Sequence, residues 1–278
     1  MNSGYTDIER EAVMTATKAP VVFIHGLWLH ATSWQPWQEL FTAAGYACSA
    51  PGWPGEPDTP EAARANPDAV ADHGIDDVTR HYAAFIDTLA ARPILIGHSF
   101  GGMIAEKLLG MDYAVAAVAI DAAQIKGVLP VPLSALHATL PVFKNPANRH
   151  QAVALTAPEF RYGFGNAVSE EESDQLYQRW AIPSPAKPLF EAAAANFTLH
   201  SPDAVNTKNS GRGPLLLTMG KQDHTVPEVI TKSTLKQYRH SPAPTDLEEF
   251  DRGHSLIIDS GWRDVADACL AWLAKYDL

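Results

Sequence analysis

The chain has 278 residues, 46% of them hydrophobic and 19% charged, with a formal net charge of −11. That length and composition suit a single globular domain built on one substantial core. The acidic balance excludes nucleic acid and anionic membrane surfaces as expected partners, because both call for a basic face.

Met1 to Ala19 mixes acidic and polar residues without a signal-peptide apolar run, and is expected as a loose or hairpin-forming leader. Pro20 to Ile24 is a continuous apolar run, the pattern of a strand covered on both faces, and it ends at His25-Gly26-Leu27-Trp28. Trp34, Trp37, Leu40, Phe41 and Ala44 then follow at helical spacing, closed by Gly45. Tyr46 to Ala50 reads as a short strand, and Pro51 to Pro57 as a loop rich in turn formers. Residues 58–75 predict a long loop with a helical turn. Asp76 to Ala91 returns to helical period with Val78, Tyr82, Phe85, Ile86 and Leu89 on one face.

The centre of the chain is Ile94-Leu95-Ile96-Gly97-His98-Ser99-Phe100-Gly101-Gly102, a buried strand that turns sharply into a helix running to Gly110. The turn matches G-x-S-x-G, in which a serine sits on a strained strand-to-helix corner and flanking glycines avoid clashes. Its hydroxyl is thereby exposed at the mouth of the sheet, in front of the free N–H groups of the helix. Val115 to Ile120 is the next apolar strand and leads into Asp121.

From Ala122 to about Asn209 no strand-like run is read, only short helical segments at Leu133–Leu140, Glu170–Trp180 and Pro188–Phe197 among many prolines. An insertion this long inside a compact domain predicts a helical lid over residues 122–209, with the core formed by 20–121 and 210–278. The insertion is rich in aromatics, most of them assigned to packing; Tyr162, Phe164 and Trp180, with Trp28, are the candidates to line an apolar substrate pocket. Glu170-Glu171-Glu172 reads as a solvated helix start.

Pro214 to Gly220 resumes the sheet, followed by the loop Lys221 to Pro227, a helix over Glu228–Tyr238, a strand at Thr245–Phe250 and the loop Gly253-His254-Ser255. A terminal helix spans Trp262–Ala274. Cys48, in a strand, and Cys269, on an apolar helix face, are expected as reduced core thiols with neither disulfide nor metal-site spacing. No stretch reaches the length of a membrane span, so a soluble cytoplasmic protein is expected. Strands alternating with helices predict a doubly wound, mostly parallel α/β sheet of about six to eight strands.

In such sheets ligands bind beyond the carboxyl ends of the strands, where His25, Ser99 and Asp121 all fall. A serine hydroxyl is a weak nucleophile until a base takes its proton, and the base needs a carboxylate to fix its tautomer. Ser99, Asp223 and His254, each on a loop leaving a strand, supply that set in this order.

On His25-Gly26, Gly97-His98-Ser99-Phe100-Gly101-Gly102, Gly220-Lys221-Gln222-Asp223-His224-Thr225-Val226-Pro227 and Gly253-His254-Ser255, the chain resembles the α/β-hydrolase superfamily over nearly its whole length. The resemblance implies Ser99 as nucleophile, His254 as general base and acid, Asp223 as third member, and the backbone N–H groups of Leu27 and Phe100 as oxyanion hole. It also implies a cofactor-free, metal-free serine hydrolase acting on an ester, lactone or activated amide of an apolar small molecule. Asp121 is the alternative acid, since some relatives take the carboxylate from that strand end. His25 and His98 are expected to hold loops, His224 to be exposed, and Trp53 to edge the pocket or pack. Serine at position 99 argues against the aspartate-based dehalogenase and epoxide hydrolase chemistries and against thiol chemistry. The competing readings are a lyase or cofactor-free oxygenase on the same fold, in which Ser99 is not acylated, and a ligand-binding module that barely turns over.

Overall fold

The computed structural model describes residues 18–278, so most of the leader expected over 1–19 lies outside the described residues. Among the described residues six parallel strands form the main sheet: β1 (Val21–Ile24), β2 (Cys48–Ser49), β3 (Ile94–His98), β4 (Ala116–Ile120), β7 (Leu215–Gly220) and β8 (Thr245–Phe250), in the order β2-β1-β3-β4-β7-β8. Two two-residue strands, β5 (Ala152–Val153) and β6 (Ser184–Pro185), make a separate antiparallel pair within the insertion. The helices are α1 (Gln35–Ala43), α2 (Pro60–Ala65), α3 (Ile75–Ile86), α4 (Phe100–Gly110), α5 (Leu133–Phe143), α6 (Ala157–Gly163), α7 (Glu170–Trp180), α8 (Lys187–Ala194), α9 (Glu228–Gln237) and α10 (Trp262–Lys275).

The strand order explains the two helix layers. β2 lies on one side of β1 and β3 on the other, so right-handed crossovers put α1 on one face of the sheet and α3 and α4 on the opposite one. On the first face Phe23, Trp34, Trp37 and Phe41 pack ring against ring, Trp37 meets Trp262 of α10 at 6.2 Å, and the Trp37 indole donates to the Ile257 carbonyl. On the other, α4 is buried along nearly its whole length against β3 and β4, so its pattern is apolar all round rather than on one stripe. The central strands β1, β3, β4 and β7 are buried at every position, as their unbroken apolar runs require. The edge strand β8 carries Asp246, Glu248 and Glu249, and Asp246 accepts hydrogen bonds from Trp272, Lys275 and Tyr276 of the covering helix end.

Three details differ from the sequence reading. The strand expected over Tyr46–Ala50 is only Cys48–Ser49, and Cys48 is half-buried, because β2 is the outer edge with a single paired neighbour. The insertion holds the short β5–β6 pair where no strand is read, because two residues carry no period and the pairing is set by tertiary contact. It also contains α6, whose Thr156–Glu159 capping box is written in the sequence. No helix of the described residues is long and apolar enough to cross a membrane.

One buried acid on α4 has a stability consequence. Glu106 is 1% exposed and accepts a hydrogen bond from the Tyr238 hydroxyl at 2.6 Å. Burial pushes its carboxyl up from 4.5 to about 8, against the lowering effects of Tyr238 and Arg212. A folded pKa above the unfolded one means that the favourable, protonated state is fully present below about 4.5 and is lost as pH rises through about 8. Glu106→Gln, which keeps an acceptor for Tyr238, is therefore expected to be more stable than wild type at pH 9 by a few kcal/mol, because each tenfold difference in proton affinity is worth ~1.4 kcal/mol. At pH 4 the two should be close; urea melts at both pH values check this, and an equal difference at both would refute it.

Candidate active site

The site is assembled at the carboxyl ends of β1, β3, β7 and β8. Ser99 leaves β3 and directly precedes α4 with φ 56° and ψ −123°, a strained conformation outside the usual regions. Its N–H donates to the Ile120 carbonyl at 2.9 Å, and its carbonyl accepts from Met103 and Ala123, so neighbouring elements hold the corner on both sides. The turn also depends on close backbone approach. A Cβ on Gly97 would run into the Gly101 carbonyl, and one on Gly101 into the Ile24 carbonyl. Gly26 passes in front of the serine, where a Cβ would stand 2.7 Å from Ser99 Cβ.

His254 and Asp223 are fully and almost fully buried, and His254 Nδ1 donates to Asp223 Oδ2 at 2.6 Å. The other Asp223 oxygen accepts the N–H groups of Thr225 at 2.7 Å and Val226 at 2.8 Å. Burial works against the charge on Asp223, but the charge and hydrogen bond of His254, a bond from Asp121 and the Val226 N–H together hold it below its ordinary value. With Nδ1 committed to Asp223, His254 presents Nε2 as its acceptor; this atom has no hydrogen-bond partner among the described residues. The link from Nε2 to the serine hydroxyl is thus open in this conformation.

Two further histidines serve the loops. His98 donates through Nε2 to the His254 carbonyl at 3.0 Å, and its ring lies 4.5 Å from the His254 ring. Burial, followed by the nearby His254 charge, pushes His98 well below its ordinary pKa, so it stays neutral and acts as a fixed donor. His25 starts the loop that carries Leu27. Its Nε2 lies 3.1 Å from Glu56 Oε2, His30 Nε2 lies 3.5 Å from Glu56 Oε1, and the Ala31 N–H donates to the same oxygen at 3.0 Å. Trp53 packs against the His25 ring and donates its indole N–H to the His25 carbonyl, so it backs this loop. The Glu56 side chain is only 2% exposed. Burial opposes its charge, yet the charge and hydrogen bond of His25, with His30 and the Ala31 N–H, keep the carboxyl below its ordinary value. Sequence reasoning missed Glu56; the one signal was a lone acid in a stretch of prolines and glycines.

Trp28, at φ 65°, donates its own N–H to Ser184 Oγ at 2.6 Å, while its indole donates to the Val153 carbonyl. Ile182 N–H donates to the Trp28 carbonyl, and His30 N–H to the Trp180 carbonyl. The loop after β1 is therefore stitched to the insertion. Among the described residues the N–H groups of Leu27 and Phe100 donate to no protein acceptor, and Phe100 is the first residue of α4, where the helix dipole is positive.

The insertion also grips the other side. Ser255 N–H donates to the Phe164 carbonyl, Thr225 Oγ1 to the Gly163 carbonyl, and Asn166 Nδ2 to the Gln222 carbonyl. The Phe164 ring packs edge-on to His254 at 4.8 Å and meets Trp28 at 6.3 Å. Of the four aromatics assigned to the pocket, the structure brings Phe164 to the histidine and Trp28 to Phe164. Tyr162 instead packs between His137 and His224, and the Trp180 ring lies under Arg179. His224 corrects the expectation of exposure: it is half-buried and donates through Nδ1 to the Tyr162 carbonyl. Glu170 and Glu172 pair with Arg161 and the Ser260 N–H, so the helix start is used to tie elements together.

Among the described residues one group has donor atoms close enough to hold a metal ion, Asp121, Asp223 and His254, within 4.8 Å of one another. Two of the three, His254 and Asp223, are already engaged with each other in the 2.6 Å hydrogen bond, which a metal would have to break.

The sequence profile of the alpha/beta hydrolase family matches residues 21–268, and the chain belongs to that family. Its fold is similar to that of an extracellular alpha/beta-hydrolase from a Paenibacillus species, described as sharing structural and functional homology with tobacco salicylic acid binding protein 2. That similarity has a TM-score of 0.67 and 18% identity, over 91% of this chain and 98% of the other. A monoacylglycerol lipase from Paleococcus ferrophilus is similar at TM-score 0.64 and 18% identity, over 93% and 95% of the two chains. A pyrethroid hydrolase from Sphingobium faniae is similar at TM-score 0.61 and 17% identity, over 92% and 97%. No curated protein sequence matches the chain significantly.

Glu56→Ala should loosen the loop from Gly26 to Ala31 without unfolding the sheet. Amide exchange over that loop is expected to rise about tenfold or more, the equivalent of losing roughly one charge-assisted hydrogen bond, while α10 stays protected. Since the folded Glu56 carboxyl lies below its unfolded value, the wild-type loop should loosen in the same way as pH falls below about 4. Unchanged exchange in the variant would count against this anchor.

Proposed function

We propose that the protein is a serine hydrolase that cleaves a carboxylic ester, or a lactone or activated amide, of an apolar small molecule through an acyl-enzyme. The observation that carries this reading is the buried 2.6 Å Asp223–His254 pair, whose free Nε2 belongs to the same strand-end cluster as the strained Ser99 corner. His254 takes the Ser99 proton as the hydroxyl oxygen attacks the carbonyl carbon, and Asp223 balances the imidazolium that forms. The N–H groups of Leu27 and Phe100 receive the negative charge of the tetrahedral intermediate. His254 then hands the proton to the leaving alcohol, and water repeats the sequence on the acyl-serine. Phe164 and Trp28 form the apolar wall against which the substrate rests.

Membership of the hydrolase family and likeness to structures named as a monoacylglycerol lipase, a pyrethroid hydrolase and a methylesterase support ester cleavage. Ser99 is 5% exposed, and the insertion is hydrogen-bonded to the loops bearing Trp28, Asp223 and His254. In this reading the insertion is a lid whose movement admits substrate. Free Cys48 and Cys269 suit a reducing, cytoplasmic setting.

The test is intact-mass analysis after a fluorophosphonate probe, beside a p-nitrophenyl ester series of increasing acyl length. Wild type should gain one probe mass and turn over esters. Ser99→Ala should take no label and lose about 10⁴- to 10⁶-fold in kcat, and Asp223→Asn about 10⁴-fold. A folded wild type that stays unlabelled and inert would refute the reading and favour the lyase, oxygenase or ligand-binding alternatives.

A further inference from the structure

Behind Asp223 lies a second carboxyl that the catalytic scheme does not use. Asp121 directly follows β4 with φ 42°, in the left-handed region, and its side chain is fully buried. Oδ1 accepts the Gly220 N–H at 2.9 Å; Oδ2 has no hydrogen-bond donor among the described residues. Gly220 makes room for that oxygen, since a Cβ there would sit 2.9 Å from Oδ2. One oxygen of Asp121, one of Asp223 and a ring nitrogen of His254 all lie within 4.8 Å of one another.

The two carboxyls are unequally supplied with donors. Asp223 has three, the N–H groups of Thr225 and Val226 and Nδ1 of His254, whereas Asp121 has one. No Lys or Arg among the described residues pairs with either. Two buried like charges this close cannot both persist, and a single proton settles on the member with fewer donors.

We propose that Asp121 is a neutral carboxylic acid whose Oδ2–H donates to Asp223, so that the acid member of the triad is a proton-sharing pair carrying one negative charge. This rests on the catalytic reading above and adds a positioning residue to it. Burial and then the Asp223 charge push Asp121 well above the carboxylate range, while Asp223 is held low. Besides His254, the ionisable groups at this end of the sheet are His98, which is neutral, His224 on the Asp223 loop, and His25, His30 and Glu56 on the β1 side. During turnover the proton of Ser99 moves to His254 Nε2 and on to the leaving alcohol. The Asp121 proton is not transferred; it draws charge from Asp223 and so limits how strongly the imidazolium is held.

The first test needs no substrate. An infrared difference spectrum between wild type and Asp121→Asn at neutral pH should show the carbonyl stretch of a protonated carboxylic acid, present in wild type, shifted by deuterium and lost in the variant. Carboxylate bands alone would overturn the proposal. The second is the pH profile of kcat/KM for p-nitrophenyl acetate. Asp121→Ala removes the donor, leaves the full Asp223 charge facing His254, and should move the acidic limb to higher pH by about one unit, a tenfold loss on that limb. Asp121→Asn keeps an N–H for Asp223 and should bring the limb back towards wild type. An unmoved limb in the alanine variant, or an asparagine variant displaced as far as alanine, overturns the proposal. If the alanine variant does not fold, the infrared comparison decides. The infrared band in a protein inert to esters would keep this proposal and refute the ester reading; ester turnover without the band would do the reverse.

Discussion

The backbone corner at Ser99 is the constraint on which the rest of the structure depends. A non-glycine residue at φ 56° and ψ −123° costs of the order of 1–3 kcal/mol and persists only where its surroundings over-determine it. Here they do: β4 accepts its N–H, α4 and the start of the insertion take its carbonyl, and three glycines let the neighbouring backbones pass at contact distance. Because the corner is built from β1, β3, β4 and α4 together, the central sheet must be parallel and closely packed for the serine to stand where it does.

Around that corner the polar groups are arranged in two arms, each anchored by a buried acid. On the β1 side Glu56 pairs with His25 and His30 and thereby holds the loop bearing Leu27. On the β7–β8 side Asp223 holds His254, with Asp121 behind it. Such buried charges are a poor source of net stability, since desolvation takes back much of the Coulombic gain. Their value here is geometric: each fixes the orientation of a histidine ring, and each would be costly to leave half-satisfied. The insertion bridges the two arms through Ser184 and Trp180 on one side and Phe164, Gly163 and Asn166 on the other. A movement that opens the site must break contacts with both arms.

The sheet and the order Ser99, Asp223, His254 were legible because local rules wrote them. Unbroken apolar runs identify strands covered on both faces, and alternation with helical periods implies parallel crossovers. The G-x-S-x-G turn has a steric reason for each glycine. The same logic failed where no period exists. Two-residue strands such as β5 and β6 cannot announce themselves, and Glu56 looked like one more polar residue in a turn-rich loop because its partners lie far back in the chain.

The sequence by itself determined the α/β class, the mostly parallel, doubly wound sheet and which residue types leave each strand end, since these follow from hydrophobic period and turn chemistry. Only the tertiary structure decided that Phe164 packs on His254 with Trp28 against its ring, while Tyr162 packs against His224 and Trp180 under Arg179. It also decided that Asp223 accepts the His254 hydrogen bond while Asp121 stands behind it. The physical reason is that side-chain contact across an insertion, and the division of hydrogen-bond donors between two neighbouring acids, depend on how distant segments pack; no local pattern encodes either.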